Sequence, residues 1–237
     1  MKIGRFLLTA SAAIAALAAP AAAKPDYSGD IKADYDKSLG ALWDHFHRNP
    51  ELSFREFKTA ARMAQELRAI PGLVVTEKVG QTGVVGVLKN GDGPVVLVRA
   101  DMDGLPVQER SGYANASTVR QVGVDGLEMP VMHACGHDVH ITSLVGTARQ
   151  LARLKDRCKG TVIFIVQPAE ERVGGAAAMV KDGLYTRFPK PNSALAFHVA
   201  AELETGKIAA SEGIQYSSAD SVDIRVPGIA THGAAPH

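Results

Sequence analysis

Apolar residues recur at helical spacing over Ile31–His47 and again over Phe54–Ile70, which predicts two amphipathic helices separated by Asn49-Pro50. Ser53-x-x-Glu56 reads as a capping box for the second helix, and Pro71-Gly72 ends it. Strands are predicted over Leu73–Val79 and Gly83–Leu88, with a Gly-Asp-Gly-Pro turn at 91–94. The runs Val95–Val98, Val162–Val166 and Ala194–Phe197 are continuously apolar, a pattern that suits strands buried on both faces of a parallel sheet. Between the first two runs, Ile141, Leu144, Val145, Ala148, Leu151 and Ala152 mark a helix over Asp138–Leu154. A shorter helix covers Ala176–Lys181 and stops near Gly183. The expected fold class is α/β: a largely parallel central sheet covered by helices, spanning residues 24–212. From about Gly213 the pattern changes. Ser218–Val226 alternates like a half-exposed strand, so residues 213–237 are expected to begin a second domain.

The first 23 residues read as a signal peptide. Lys2 and Arg5 precede an apolar stretch from Phe6 to Ala19, and Ala21-Ala22-Ala23 offers a small-residue cleavage site. The stretch is short for a membrane span. The chain is therefore expected to be exported, to the periplasm or outside the cell, with no membrane attachment after cleavage. Removal of Lys2 and Arg5 takes the formal charge from +1 to −1. Neither a basic stretch nor an acidic tail interrupts the chain, so nothing points to nucleic acid. With 46% hydrophobic and 22% charged residues, the composition is that of an ordinary globular protein.

Chemistry concentrates just after the buried runs. Val95–Val98 leads to Asp101 and Asp103, Val162–Val166 to Glu170 and Glu171, and Ala194–Phe197 to His198. Sites in open α/β sheets form at the carboxyl ends of strands, so three strands delivering such residues converge on one edge. The segment Val131–Asp138 adds His133, Cys135, His137 and Asp138. Thiolate, imidazole and carboxylate together suit zinc, manganese, cobalt or nickel rather than magnesium or calcium. The start of the helix near Asp138 favours thiolate character at Cys135, which still needs a metal or cationic partner. Of the two cysteines, Cys135 reads as a ligand and Cys158 as a free or incidental thiol. One of two adjacent glutamates can hold metal while the other accepts a proton from water. His45 and His47 read as structural or surface residues beside Trp43 and Phe46, and His140 as a supporting or packing residue one turn after His137.

Asp101-Met-Asp103-Gly-Leu-Pro106, Met132-His-Ala-Cys135-Gly-His137-Asp138, Gln167-Pro-Ala-Glu170-Glu171 and His232-Gly-Ala-Ala-Pro-His237 resemble, in that order, the M20 metallopeptidase family. The branch most resembled is that of its amidohydrolases, which act on hippurate, auxin conjugates, N-acyl amino acids and N-acetyl-diaminopimelate. The resemblance implies a two-metal catalytic α/β domain interrupted by an α+β lid and dimerisation domain. It implies Cys135, His137, Glu171 and His198 as metal ligands, and Glu170 as general base and acid. Asp103 corresponds to an aspartate that orients a ligand or the base. Asp101 lies where other branches carry a metal histidine. His232 matches a lid histidine that stabilises the oxyanion or holds the substrate carboxylate, often across a homodimer. His133 and Asp138 are then supports of the ligands.

Family members are longer. The rest of the lid, the return to the catalytic domain and a last metal histidine are expected beyond His237. The expected activity is metal-dependent hydrolysis of the amide bond in small N-acyl amino acids or similar conjugates. Its rivals are a metal-binding fragment that turns nothing over, a dipeptidase or carboxypeptidase of the same family, and a cysteine hydrolase using Cys135 with His137.

Overall fold

The structure, a computed structural model, describes residues 25–214 together with Val222 and Ile224. The expected leader, His232 and most of the strand expected over Ser218–Val226 lie outside the described residues. Residues up to Val199 belong to one unit and those from Ala200 to a second. In the second unit, Leu203 donates its N–H to Ala200 and Lys207 to Glu204 in successive turns. No helix among the described residues is long and apolar enough to cross a membrane.

The first predicted helix is α1 (Ser28–Asp34), which runs through a π-helical turn (Tyr35–Leu39) into α2 (Gly40–Arg48). The second, α3 (Phe57–Arg68), starts later than predicted. The reason is local. Phe54 has a φ of 60°, which no helix tolerates, and the capping box does not form. Glu51 caps the helix instead, its carboxylate accepting the N–H groups of Lys58 and Thr59 at 3.2 and 2.7 Å. Ser53 and Glu56 turn away from the helix and bond to distant residues.

The sheet has the order β1 (Leu73–Val79), β2 (Gly83–Asn90), β6 (Gly160–Gln167), β3 (Val95–Asp101), β7 (Ser193–Ala196), while β4 (Arg120–Val122) and β5 (Glu128–Pro130) form a separate hairpin. It is mixed. Strands β6, β3 and β7 run parallel, as expected of the buried runs, whereas β1–β2 and β2–β6 pair antiparallel. The short link between β1 and β2 permits only a hairpin, while the β3–β6 connection carries α4 (His137–Arg153) and crosses over.

Strand β6 alternates its side chains between two cores. Phe164 and Val166 pack with Phe46, Met63, Leu67, Ile141 and Leu144 from α2, α3 and α4. Ile163 and Ile165 pack with Val85, Leu97, Met179 and Leu184, beneath α5 (Gly175–Lys181) and α6 (Leu184–Arg187). Each fully buried aliphatic or aromatic side chain contributes about 1.5–3 kcal/mol to this clamp on the central strands. β7 departs from expectation. Its apolar sequence predicts burial on both faces, yet all four residues are exposed, Leu195 at 63%. It pairs only with β3 and is an edge strand among the described residues.

Candidate metal centre

The register of the parallel strands builds the site. Asp101 sits opposite Gln167, and Ala196 opposite Arg99, so the residues that follow β3, β6 and β7 leave the sheet at one edge. Cys135 and His137 arrive from the turn that opens α4. Gly136 between them has a φ of 78°, and a Cβ there would fall 2.4 Å from Val199 Cγ2. Glycine therefore allows both the left-handed turn and the close approach of Val199.

Among the described residues, three sets of potential ligands have their donor atoms within 4.8 Å of one another: Cys135, His137 and His198; Asp101, His137 and His140; His137, Glu170 and Glu171. His137 is common to all three. Its ring is fully buried, and neither nitrogen makes a hydrogen bond among the described residues. Nδ1 lies 3.4 Å from Asp103, and Nε2 lies 3.5 Å from Asp101 and 3.8 Å from both Glu170 and Glu171. Burial acts to lower the His137 pKa, but the surrounding carboxylates outweigh it and hold it above the ordinary value.

Asp103 is a hub. It accepts the Ser53 hydroxyl at 2.6 Å and the backbone N–H groups of Glu170 and Glu171 at 3.0 and 3.1 Å. Burial opposes its charge, yet His137 and these donors keep its pKa low. Glu171 is the reverse case: burial and the charges of Glu170 and Asp103 raise its pKa against the pull of His137. Its Oε1 has no hydrogen-bond partner among the described residues.

Asp101 pairs with Arg99 at 2.7 Å and accepts Nδ1–H of His140 at 2.6 Å. Burial resists its ionisation, but the His140 bond and the charges of His137 and Arg99 hold its pKa down at about 2. The other nitrogen of His140 accepts the N–H of Val199 at 3.1 Å. Both nitrogens of His140 are thus committed to the protein. His198 donates Nδ1–H to the Val199 carbonyl at 2.6 Å, which turns the lone pair of Nε2 towards Cys135 Sγ, 3.3 Å away.

The helix start alone does not make Cys135 a thiolate, in keeping with its expected need for a metal or cationic partner. Burial and the charges of Glu171, Glu170 and Asp101 push the thiol up to about 11. Burial and three carboxylates together outweigh one helix terminus. His133 and Asp138, on either side of the turn in sequence, are both buried. His133 is buried with neither ring nitrogen bonded among the described residues, and burial pushes its pKa down to about 4. Asp138 accepts Nδ1–H of His47 at 2.8 Å, and His47 Nε2 lies 3.3 Å from Glu109. His47, given a bland reading from the sequence, thus supports the site, as do His140, Ser53 and Glu56. No sequence signal singled out His47, while Ser53 and Glu56 were visible but assigned to a local cap. His45 stays outside this network, edge-on to Phe46. Cys158 is exposed near Asn90 and belongs to none of these ligand sets.

The donor set fits divalent cations. An unbonded Glu171 oxygen, two unbonded His137 nitrogens, an oriented His198 lone pair and a thiol face one another amid excess negative charge.

Residues 97–234 match the model of peptidase family M20/M25/M40. The chain is 38% identical to the hippurate hydrolase of Campylobacter jejuni over 87% of its own length and 50% of that protein's. It is 37% identical to the N-acetyldiaminopimelate deacetylase of Bacillus cytotoxicus over 81% of its length and 48% of that protein's. Among solved structures, it resembles the YXEP protein of Bacillus subtilis, described as a dinuclear metal-binding peptidase of the M20 family. That match has 34% identity and a TM-score of 0.63, covering 73% of this chain and 45% of the other. The chain belongs to the M20/M25/M40 peptidase family. It spans about half the length of the curated relatives it matches.

Proposed function

We propose that the protein is a metal-dependent amidohydrolase that cleaves the amide bond of N-acyl amino acids or similar small conjugates. The observation that carries the reading is the meeting of Cys135, Glu171 and His198 around the buried imidazole of His137, with Glu170 beside them. These four residues would hold two divalent ions. Zinc, manganese, cobalt or nickel would supply Lewis acidity to the amide carbonyl and lower the pKa of the attacking water. Glu170, whose side chain is the more open of the glutamate pair, takes the proton from that water and returns it to the leaving amine. Asp103 fixes the Glu170–Glu171 turn through their N–H groups and faces His137 from the other side. His140 and Asp101 orient the His198 segment, and the buried His133 and Asp138 support the Cys135–His137 turn they flank. The names of the hippurate hydrolase and the N-acetyldiaminopimelate deacetylase support the substrate class. A lid histidine at His232, a homodimer through the lid and export by the leader complete the proposal.

Turnover of hippurate and N-acetyl amino acids with added zinc or manganese is the direct test. Glu170→Gln should abolish turnover and keep metal binding, and retained turnover would sink the role given to Glu170. Chelator-resistant activity that is lost on thiol alkylation would instead favour a Cys135 nucleophile. The high pKa of that thiol argues against it.

A further inference from the structure

The turn that carries Glu170 and Glu171 is held from below by a residue outside the metal centre. Ala169 is fully buried and has a φ of 45°, a left-handed conformation that side chains other than glycine rarely adopt. Both ends of this residue are pinned. Its carbonyl accepts the N–H groups of Gly174 and Gly175 at 3.2 and 3.1 Å. Its N–H goes to Glu56 Oε1 at 2.8 Å. The same oxygen accepts the N–H of Phe54 at 2.9 Å, and Oε2 accepts the Thr82 hydroxyl at 2.6 Å. Glu56 is itself fully buried. The N–H groups of three consecutive residues, Ala169, Glu170 and Glu171, are therefore captured by two buried carboxylates, Glu56 and Asp103.

We propose that Glu56 is a positioning residue for Glu170 and Glu171, holding Ala169 in the left-handed conformation from which both glutamates are directed into the metal centre. The proposal rests on the roles given to those glutamates above. Loss of the Glu56 oxygen leaves a buried N–H unpaired, and the turn can satisfy it only by relaxing the peptide before Glu170. Glutamine can replace Glu56 in this role. Its carbonyl oxygen accepts from Ala169 and Phe54, and its amide donates to Thr82. Aspartate is one methylene too short.

The test compares the whole 237-residue chain with Glu56→Ala, Glu56→Asp and Glu56→Gln by amide hydrogen exchange and by the visible spectrum of added cobalt(II). The core variant Leu67→Ala serves as a stability control. In Glu56→Ala and Glu56→Asp, exchange at Ala169, Glu170 and Glu171 should quicken by about tenfold or more while Phe164 stays protected. Their cobalt spectra should shift. Glu56→Gln should keep the cobalt spectrum and hold all three amides at least as protected as in the parent, and Leu67→Ala should keep the spectrum and quicken exchange at Phe164 together with the turn rather than at the turn alone. If Glu56→Ala does not fold, Glu56→Asp decides. Unchanged exchange at Ala169 in a folded variant, or a glutamine variant that behaves like alanine, overturns the proposal. A parent chain that gives no cobalt spectrum defeats the metal reading instead, and the exchange arm still decides Glu56.

Discussion

His140 Nε2 accepts the backbone N–H of Val199, 3.1 Å away and one residue past His198. The other face of the same ring donates to Asp101. One imidazole in a single tautomer thus joins α4, the end of β3 and the segment after β7. The Val199 peptide is bonded at both ends, its N–H by His140 and its carbonyl by His198. The lone pair of His198 is aimed by this arrangement together with the edge-on contact of its ring with His140, whose centroid lies 4.6 Å away.

Removing that link should weaken metal binding without unfolding the protein. His140→Ala is expected to lower zinc affinity about 10- to 100-fold. Competition with a chromophoric chelator reads the affinity, and far-UV circular dichroism reads the fold. An unchanged affinity would mean that His198 is aimed by something else.

Metal loading should release protons. With its thiol near 11, Cys135 is neutral at pH 8 and must lose a proton to become a ligand. His137, raised by its carboxylate neighbours, must be neutral to bind. Affinity should therefore fall as the pH drops. Titration of zinc into weakly buffered protein at pH 8 should release about one proton fewer in Cys135→Ser than in the parent. Equal release from the two proteins would remove Cys135 from the ligand set.

Glu56 makes metal-free stability depend on pH. Burial pushes its pKa up to about 7 from 4.5, against the bonds from Thr82 and Ala169. The folded state then binds this proton more tightly than the unfolded chain. The penalty is absent below pH 4.5, grows as the pH rises, and is complete above about 7. It amounts to about 3 kcal/mol at full size. Urea unfolding should show Glu56→Gln gaining stability over the parent between pH 5 and 8. A constant difference across that range would contradict the assignment.

Export predicts a mature protein that begins at Lys24. Amino-terminal sequencing of protein recovered from the periplasm or medium checks it, and an intact Met1 on all of the protein would count against a cleaved leader.

The sequence carried much of the fold and named residues that the structure brings together. Helix boundaries at α4 and α5 fell within a residue of expectation, because helical periodicity and a glycine stop are local signals. The buried runs located β3 and β6 through their side-chain environment. The same reasoning overstated β7, since an apolar run does not reveal how many neighbours a strand has. It also misread Ser53 and Glu56. A capping box and a pair of tertiary acceptors share one spacing, and only the φ of Phe54 and the position of Asp103 distinguish them.

By itself, then, the sequence determined which residue types were available and in what order: acids after β3, a thiol and imidazole before α4, two glutamates after β6, a histidine after β7. Tertiary structure decided what each of them faces. Parallel register brought four chain segments to one edge, placed His137 among four carboxylates and made the Cys135 thiol harder, not easier, to ionise. It also drew His47, His140 and Glu56 into support. Charge interactions and hydrogen bonds depend on distances across the fold, and spacing along the chain encodes those distances only where the structure is local.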